Sequence, residues 1–359
     1  MVGYSPGEKN MKKVSLPSLL IPAVLLISSA PLLADELSLT PEEHTPMTCD
    51  ITLDVNHLAQ TKIAKSSKPY TLAFSVPSYA NPYVQALLYG AQQAANEAGV
   101  KLSVTAGKGF MDPASQITQL ENALSRRPDA VLINPSDPDG LAQTIDEIIE
   151  NGTPVIDVGS LSNSEQSWKL VQDDYTQGVM AAEALAKQNL ANGKGIIMGG
   201  PANASWARRR VAGFMDTLQK YPNLHIAAVV SSDIDPQQGL TKFVNAAQAN
   251  PQFGWIYATG SFLLAPQSIP VEYQNAVYVA GGLTNVTEDA LRQNKITAVL
   301  PDFPIATGYY GVKMAIDILE KRPPLKRICA PVAAMTVSDL SDPVWSKSSI
   351  LPSDFKPLD

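Results

Sequence analysis

The chain predicts an α/β fold of two doubly wound lobes, each a parallel sheet with helices on both faces. Three observations predict it. Strand-like and helical runs alternate from residue 70 onward, the connections between them are short, and the alternation starts afresh after a joining stretch near 159–175. Strands separated by helices of ten or more residues form parallel sheets, because a crossover must carry the chain back before the next strand can start.

The first run opens with a β-rich strand over 70–76. A helix over 83–98 follows, with Val84, Leu87, Leu88, Ala91 and Ala95 on one face. Gly99 ends it, since glycine enters the left-handed region at no steric cost. A strand over 101–105 comes next. Asp112-Pro113 is a helix start, an acceptor cap followed by a residue whose φ is already helical. Ile117, Leu120 and Leu124 continue that helix's apolar stripe. Residues 130–133 are a buried strand, Asp137-Pro138 begins a helix running through Glu150, and 154–158 is the next strand. The second run places strands at 195–198, 225–230, 255–258, 277–280 and 297–300. Its helices lie at 205–219, 236–249, 286–293 and 305–320.

Length and composition agree with this reading. The 359 residues suit two domains, and 45% hydrophobic against 17% charged residues supplies two cores. The formal charge is −7, and Arg208-Arg209-Arg210 is the one sizeable basic block, which argues against nucleic acid as a partner. Met11-Lys12-Lys13, an apolar stretch over 16–33 and Ala34 before an acidic segment have the layout of a secretory signal peptide. Residues 1–34 are therefore expected to be cleaved near Ala34, delivering the chain to the periplasm without stable membrane insertion. Residues 35–69 form a weakly patterned extension. Cys49 and Cys329 are the two cysteines; in an oxidising compartment they either bridge the extension to the C-terminal segment or remain two buried thiols.

In open parallel sheets, ligands sit at the carboxyl ends of the strands. Here that rule selects the turn containing Tyr79, Asn81 and Tyr83, then Gly159-Ser160, Asp173-Asp174, the Gly199–Trp206 turn leading into Arg208–Arg210, Gly260-Ser261, Gly281-Gly282 and Asp302. Each also has a structural reading. Asn81 caps a helix, the tyrosines are core or surface, and Asp174 complements a helix dipole. His44, His57 and His225 are the three histidines, and none sits in a nucleophile or metal-ligand arrangement. No catalytic residue, metal or cofactor is expected, and the alternative to a binding protein is a periplasmic enzyme on the same α/β scaffold.

An ordered set of segments resembles the type I periplasmic binding proteins of the ribose-binding group. They are Tyr79–Tyr83 with Gly90-Ala91, residues 129–136 (DAVLINPS), 152–156 (GTPVI) and 208–214 (RRRVAGF), and the resemblance covers 69–336. It implies two lobes joined by a three-strand hinge: 70–172 with 303–328, and 173–302 with 329–345, followed by a tail over 346–359. It further implies a small-molecule ligand held between the lobes and presented to an inner-membrane partner, the permease of an ABC importer. Repressors of the LacI type share the core but carry a DNA-binding helix-turn-helix where this chain has an export signal.

Asn81, Tyr83 and Arg210 match the family's cleft residues. The Asp-Arg pair that grips sugar hydroxyls in the family falls on Gly159-Ser160 here. The second lobe's Asn and Asp fall near Gly260 and Gly282, and a cleft Gln falls on Asp302. These departures count against ribose. With Tyr79, Asp174, Ser160 and Trp206 added, the expected site has aromatic faces and both charge signs. It suits a small cationic or dipolar ligand or a modified sugar. Substituting Asn81 or Arg210 is expected to weaken binding and leave folding intact. A narrower resemblance, carried by the long extension and the tail segments Cys329–Val332 and Pro352–Pro357, is to TorT-type periplasmic sensors. It implies a histidine kinase ectodomain as the partner. In place of an aromatic expected beside Tyr83, this chain has Val84, which counts against trimethylamine N-oxide.

Overall fold

The computed structural model describes residues 1–3, 38–190, 192–322 and 325–355; the leader segment and its cleavage position lie outside these. All elements below belong to one compact unit, Ala34–Asp359. The extension supplies β1 (Ile51–Thr52) and α1 (Val55–Gln60). The first lobe continues with β2 (Thr71–Val76), α2 (Pro82–Ala98), β3 (Lys101–Ala106), α3 (Pro113–Leu124), β4 (Ala130–Ile133), α4 (Ala142–Glu150), β5 (Val155–Val158) and β6 (Trp168–Gln172). The second lobe begins with α5 (Asp174–Ala186), β7 (Lys194–Gly200), α6 (Ser205–Leu218), β8 (His225–Ser231) and α7 (Pro236–Ala249). It is completed by β9 (Trp255–Ala258), β10 (Val277–Gly281), α8 (Asn285–Arg292) and β11 (Ala298–Leu300). The chain returns through α9 (Pro304–Leu319) and β12 (Arg327–Ala330) and ends in α10 (Pro343–Ser349).

Two parallel sheets result. Their strand orders are β1-β12-β6-β5-β4-β2-β3 and β11-β10-β9-β7-β8. Central strands such as β4, β5 and β9 are buried along their whole length, as sheets covered on both faces require. One helix pair in each lobe packs backbone to backbone. A Cβ at Gly90 of α2 would lie 1.8 Å from the carbonyl oxygen of Ile305, and one at Gly308 of α9 would lie 1.9 Å from that of Leu87. In the second lobe the same device uses Gly178 of α5 and Gly213 of α6, whose added Cβ atoms would meet the carbonyl oxygens of Arg210 and Tyr175 at 2.1 and 2.0 Å.

The chain crosses between lobes after β6, before α9 and after β12. The Gln172 side chain stitches these crossings together, its Nε2 donating to the carbonyls of Pro301 (3.1 Å) and Pro331 (2.7 Å). At the second crossing Phe303 adopts a left-handed φ of 51°, unusual for a bulky residue, with its ring fully buried.

The structure departs from the sequence expectations in four places. Asp137-Pro138 opens a turn and not a helix: Asp137 Oδ1 accepts from the backbone N–H groups of Asp139 and Gly140, and α4 starts only at Ala142. The joining stretch contains a strand, β6. The first lobe extends through Ala330 instead of 328, because β12 pairs with β6 to that residue. The extension and the segment from Pro343 are not appendages. β1 pairs with β12, Cys49 and Cys329 form a disulfide with Cα atoms 5.9 Å apart, and Trp345 of α10 packs against the cores of both lobes.

Candidate ligand-binding cleft

The strand ends of the two sheets meet around a small cavity lined by groups from both lobes. From the first lobe, Asn81 caps α2, its Oδ1 accepting from Tyr83 N (2.8 Å). The Tyr83 hydroxyl lies over Gly159, where a Cβ would stand 2.1 Å from it and where φ is +81°, so only glycine fits. Asn134 donates from Nδ2 to the Val158 carbonyl (2.8 Å) and leaves Oδ1 buried without a partner. Ser160 is buried on the next turn.

The second lobe contributes α6, whose first two turns carry Trp206 and Arg210. Arg210 is 5% exposed, and its guanidinium donates to Asp174 Oδ1, Asp302 Oδ1 and the Thr259 carbonyl, each at 2.8 Å. Its carbon lies 5.2 Å from the centroid of the Trp206 ring. Phe110 and Phe262 meet Trp206 edge-on, each with its centroid 5.9 Å away. Asp302 is steadied from behind by Gln177 Nε2 at 2.8 Å.

Burial and charge pull in opposite directions here. Burial pushes the Asp174 carboxyl up to about 7, outweighing the attraction of Arg210, while Asp302, sharing the same guanidinium, pushes it the same way. Burial works against the Arg210 charge, but Asp302 and Asp174 outweigh it and hold the guanidinium well above its ordinary value. The Tyr83 hydroxyl is raised by burial first and by Asp302 second, so it remains a neutral donor.

The lobes are closed. Asn203 Nδ2 of the second lobe donates to the Phe110 carbonyl (2.6 Å), and Ser205 Oγ donates to the Leu161 carbonyl (3.3 Å), both across the cleft. The cavity between them measures about 20 Å³, room for a water-sized group. A larger groove of about 450 Å³, lined by α1, α9 and α10, contains none of these residues. Convergence of charged, amide and aromatic groups, not size, marks the cleft. Among the described residues no cluster of three His, Cys, Asp or Glu side chains is placed to hold a metal.

Of the sequence-predicted residues, the structure brings Asn81, Tyr83, Ser160, Trp206, Arg210 and Asp302 to the cavity wall and sets Asp174 directly behind Arg210. Tyr79 is a correction: it is 42% exposed and does not line the cavity, and its backbone carbonyl accepts from Gln85 Nε2. Turning out of the sheet before the Asn81 cap leaves its ring on the rim. Phe110, Asn134 and Phe262 line the cavity without having been singled out. All three follow strand ends, which was the available signal.

Residues 72–323 match the model of the periplasmic binding protein domain family. The chain is 24% identical over 274 residues to the ribose import binding protein RbsB of Bacillus subtilis, covering 76% of this chain and 88% of that protein. It is 23% identical over 306 residues to the periplasmic protein TorT of Escherichia coli, covering 82% and 85%. Its fold resembles a carbohydrate transporter solute binding protein from Agrobacterium radiobacter solved with D-arabinose, with a TM-score of 0.72, 24% identity and coverage of 77% and 98%. Two parallel-sheet lobes with a hinge between them and convergent polar groups at the facing strand ends, together with a family match over most of its length, establish that the chain belongs to the periplasmic binding protein domain family.

Proposed function

We propose that this protein is a periplasmic solute receptor that closes around a small polyhydroxyl, sugar-like ligand and presents it to an ABC importer. The observation that carries the reading is the Asp302–Arg210–Asp174 cluster set against Trp206, Phe110 and Phe262. A sugar offers hydroxyls around its edge and C–H groups on its faces. Carboxylate and guanidinium groups accept and donate to the former; aromatic rings cover the latter. The unpartnered Asn134 Oδ1 adds an acceptor at the wall. The names of the ribose-binding relatives and the arabinose-bound neighbour support the same ligand class. Ribose itself is disfavoured, because a hydroxyl left unpaired opposite Gly159 or Gly282 costs about 1–3 kcal/mol. The cavity must widen to admit any sugar ring, so binding requires the lobes to part and close again.

One observation favours a second reading, a sensor docking on a histidine kinase ectodomain. The similarity to TorT covers more of the chain than the similarity to RbsB, and the cluster sets two carboxylates against one guanidinium, which suits an amine or N-oxide. A thermal-shift screen of aldoses, polyols, amines and N-oxides separates the two. A ligand at a hundredfold excess over its Kd adds about 2.7 kcal/mol. Stabilisation by an aldose or polyol supports the importer-type ligand; stabilisation confined to amines or N-oxides overturns it.

A further inference from the structure

We infer that residues 38–60 form a strap that ties the second lobe to the first beside the hinge and limits how far the cleft opens. One end is anchored on α6. The Glu43 carboxylate, only 9% exposed, pairs with both Nε and Nη2 of Arg208, and Nη2 also donates to the Ser38 carbonyl at 2.6 Å. Arg209 is buried and donates to the carbonyls of Glu42 (2.8 Å) and Thr45 (2.6 Å), and His44 Nδ1 lies 2.9 Å from Asp216. Exposed ion pairs such as His44–Asp216 contribute little, but the Arg208–Glu43 pair and the Arg209 bonds are partly buried and hold backbone as well as side chains. Arg208 and Arg209 directly precede Arg210, so one turn of α6 presents one arginine to the cleft and two to the strap.

The other end is fused to the first lobe. Cys49 is bonded to Cys329 in β12, the strand that leads into the third crossing, and Asp50 Oδ2 accepts from Arg327 N at 2.8 Å. β1 then extends the sheet, and Leu53 N donates to the Cys329 carbonyl. Between the last α6 anchor, Thr45, and the disulfide at Cys49 lie four Cα–Cα steps, which span at most ~14 Å fully extended. A tether that short, covalent at the first lobe and held by hydrogen bonds and ion pairs on α6, adds a limit to the three strand crossings. Wide opening then requires residues 38–45 to leave α6.

The inference uses the hinged-lobe part of the proposed function and needs no ligand. The test is pulsed electron spin resonance on the full chain, with labels at the exposed positions Gln143→Cys on α4 and Gln237→Cys on α7. The distance distribution is compared in ligand-free protein for the wild-type strap, Glu43→Gln, and a Gly/Ser insertion of ~6 residues between Pro46 and Met47, which adds ~20 Å of reach. The insertion keeps every anchor and removes only the length limit. Both variants are expected to shift the distribution to longer distances. An insertion variant with the wild-type distribution overturns the strap, whatever Glu43→Gln does. A shift in the insertion variant with no sugar binding leaves the strap standing and rejects the ligand class; sugar binding with no shift does the reverse.

Discussion

Arg210 is both a wall of the cleft and the cation that two buried carboxylates share. Replacing it with alanine removes the guanidinium that Asp174 and Asp302 share, so Arg210→Ala is predicted to cost stability as well as binding. The variant is expected to lose about 3–5 kcal/mol of stability along with binding, read from a urea titration; wild-type stability would contradict the cluster. Asn81 has a milder version of the same double duty, since its side chain caps α2 and the cap contributes about 1 kcal/mol. Asp174 makes stability depend on pH. Its carboxyl is raised from 3.8 to about 7, chiefly by burial, so across that window the folded chain keeps a proton that the unfolded chain releases. Stability from this residue is therefore present at the acid end and is lost as pH rises through about 7. Urea midpoints of wild type and Asp174→Asn at about pH 5 and about pH 8 test this. The wild type should lose ground to the variant on going up; parallel behaviour would contradict it.

At the scale of elements, the cleft depends on how closely α6 lies on α5. An added methyl at Gly213 meets the Tyr175 carbonyl oxygen at 2.0 Å and must push α6 away, carrying Trp206 and Arg210 with it. Gly213→Ala is expected to cost about 1–3 kcal/mol and to weaken ligand binding. Gly90→Ala, in the matching pair of the first lobe, is expected to destabilise while leaving the Arg210 helix in place. Equal binding by both variants in calorimetry would show that α6 placement does not control the site. Most elements were legible because their signals are local: Asp112-Pro113 and Asp235-Pro236 each cap a helix where the pattern placed one. Asp137-Pro138 misled because the Asp137 carboxylate accepts from the N–H groups of Asp139 and Gly140 and closes a turn instead of capping a helix. β6 was missed because Lys169 sits mid-strand and reads as exposed, yet its ammonium is buried against Asp157, two serine carbonyls and Ser167 Oγ. Such a network is set by tertiary contacts and leaves no periodic trace. Phe110 and Phe262 read as core side chains in sequence; only the facing lobe turns them into walls of a site.

At the scale of the whole molecule, two sheets of one topology are hinged by three crossings that Gln172 binds together, and their strand ends face each other. Alternation of strands and helices was enough to foresee the lobes. The roles of the extension and α10 were not foreseeable, because the pairing of β1 with β12 and the seat of Trp345 between cores link residues far apart in the chain. Hydrogen bonds between the lobes hold the closed state, so ligand binding should appear as a shift in opening and not as local folding. The proposed sugar-like ligand is gripped between Asp302 and the aromatic wall of Trp206, Phe110 and Phe262. Calorimetric titration of the best-stabilising aldose or polyol into wild type and Asp302→Asn tests it most directly. One-site binding by the wild type that is weakened at least ~10-fold in Asp302→Asn, the loss of about 1.4 kcal/mol expected for a charged acceptor, is the predicted result; equal affinity in the two proteins would contradict it.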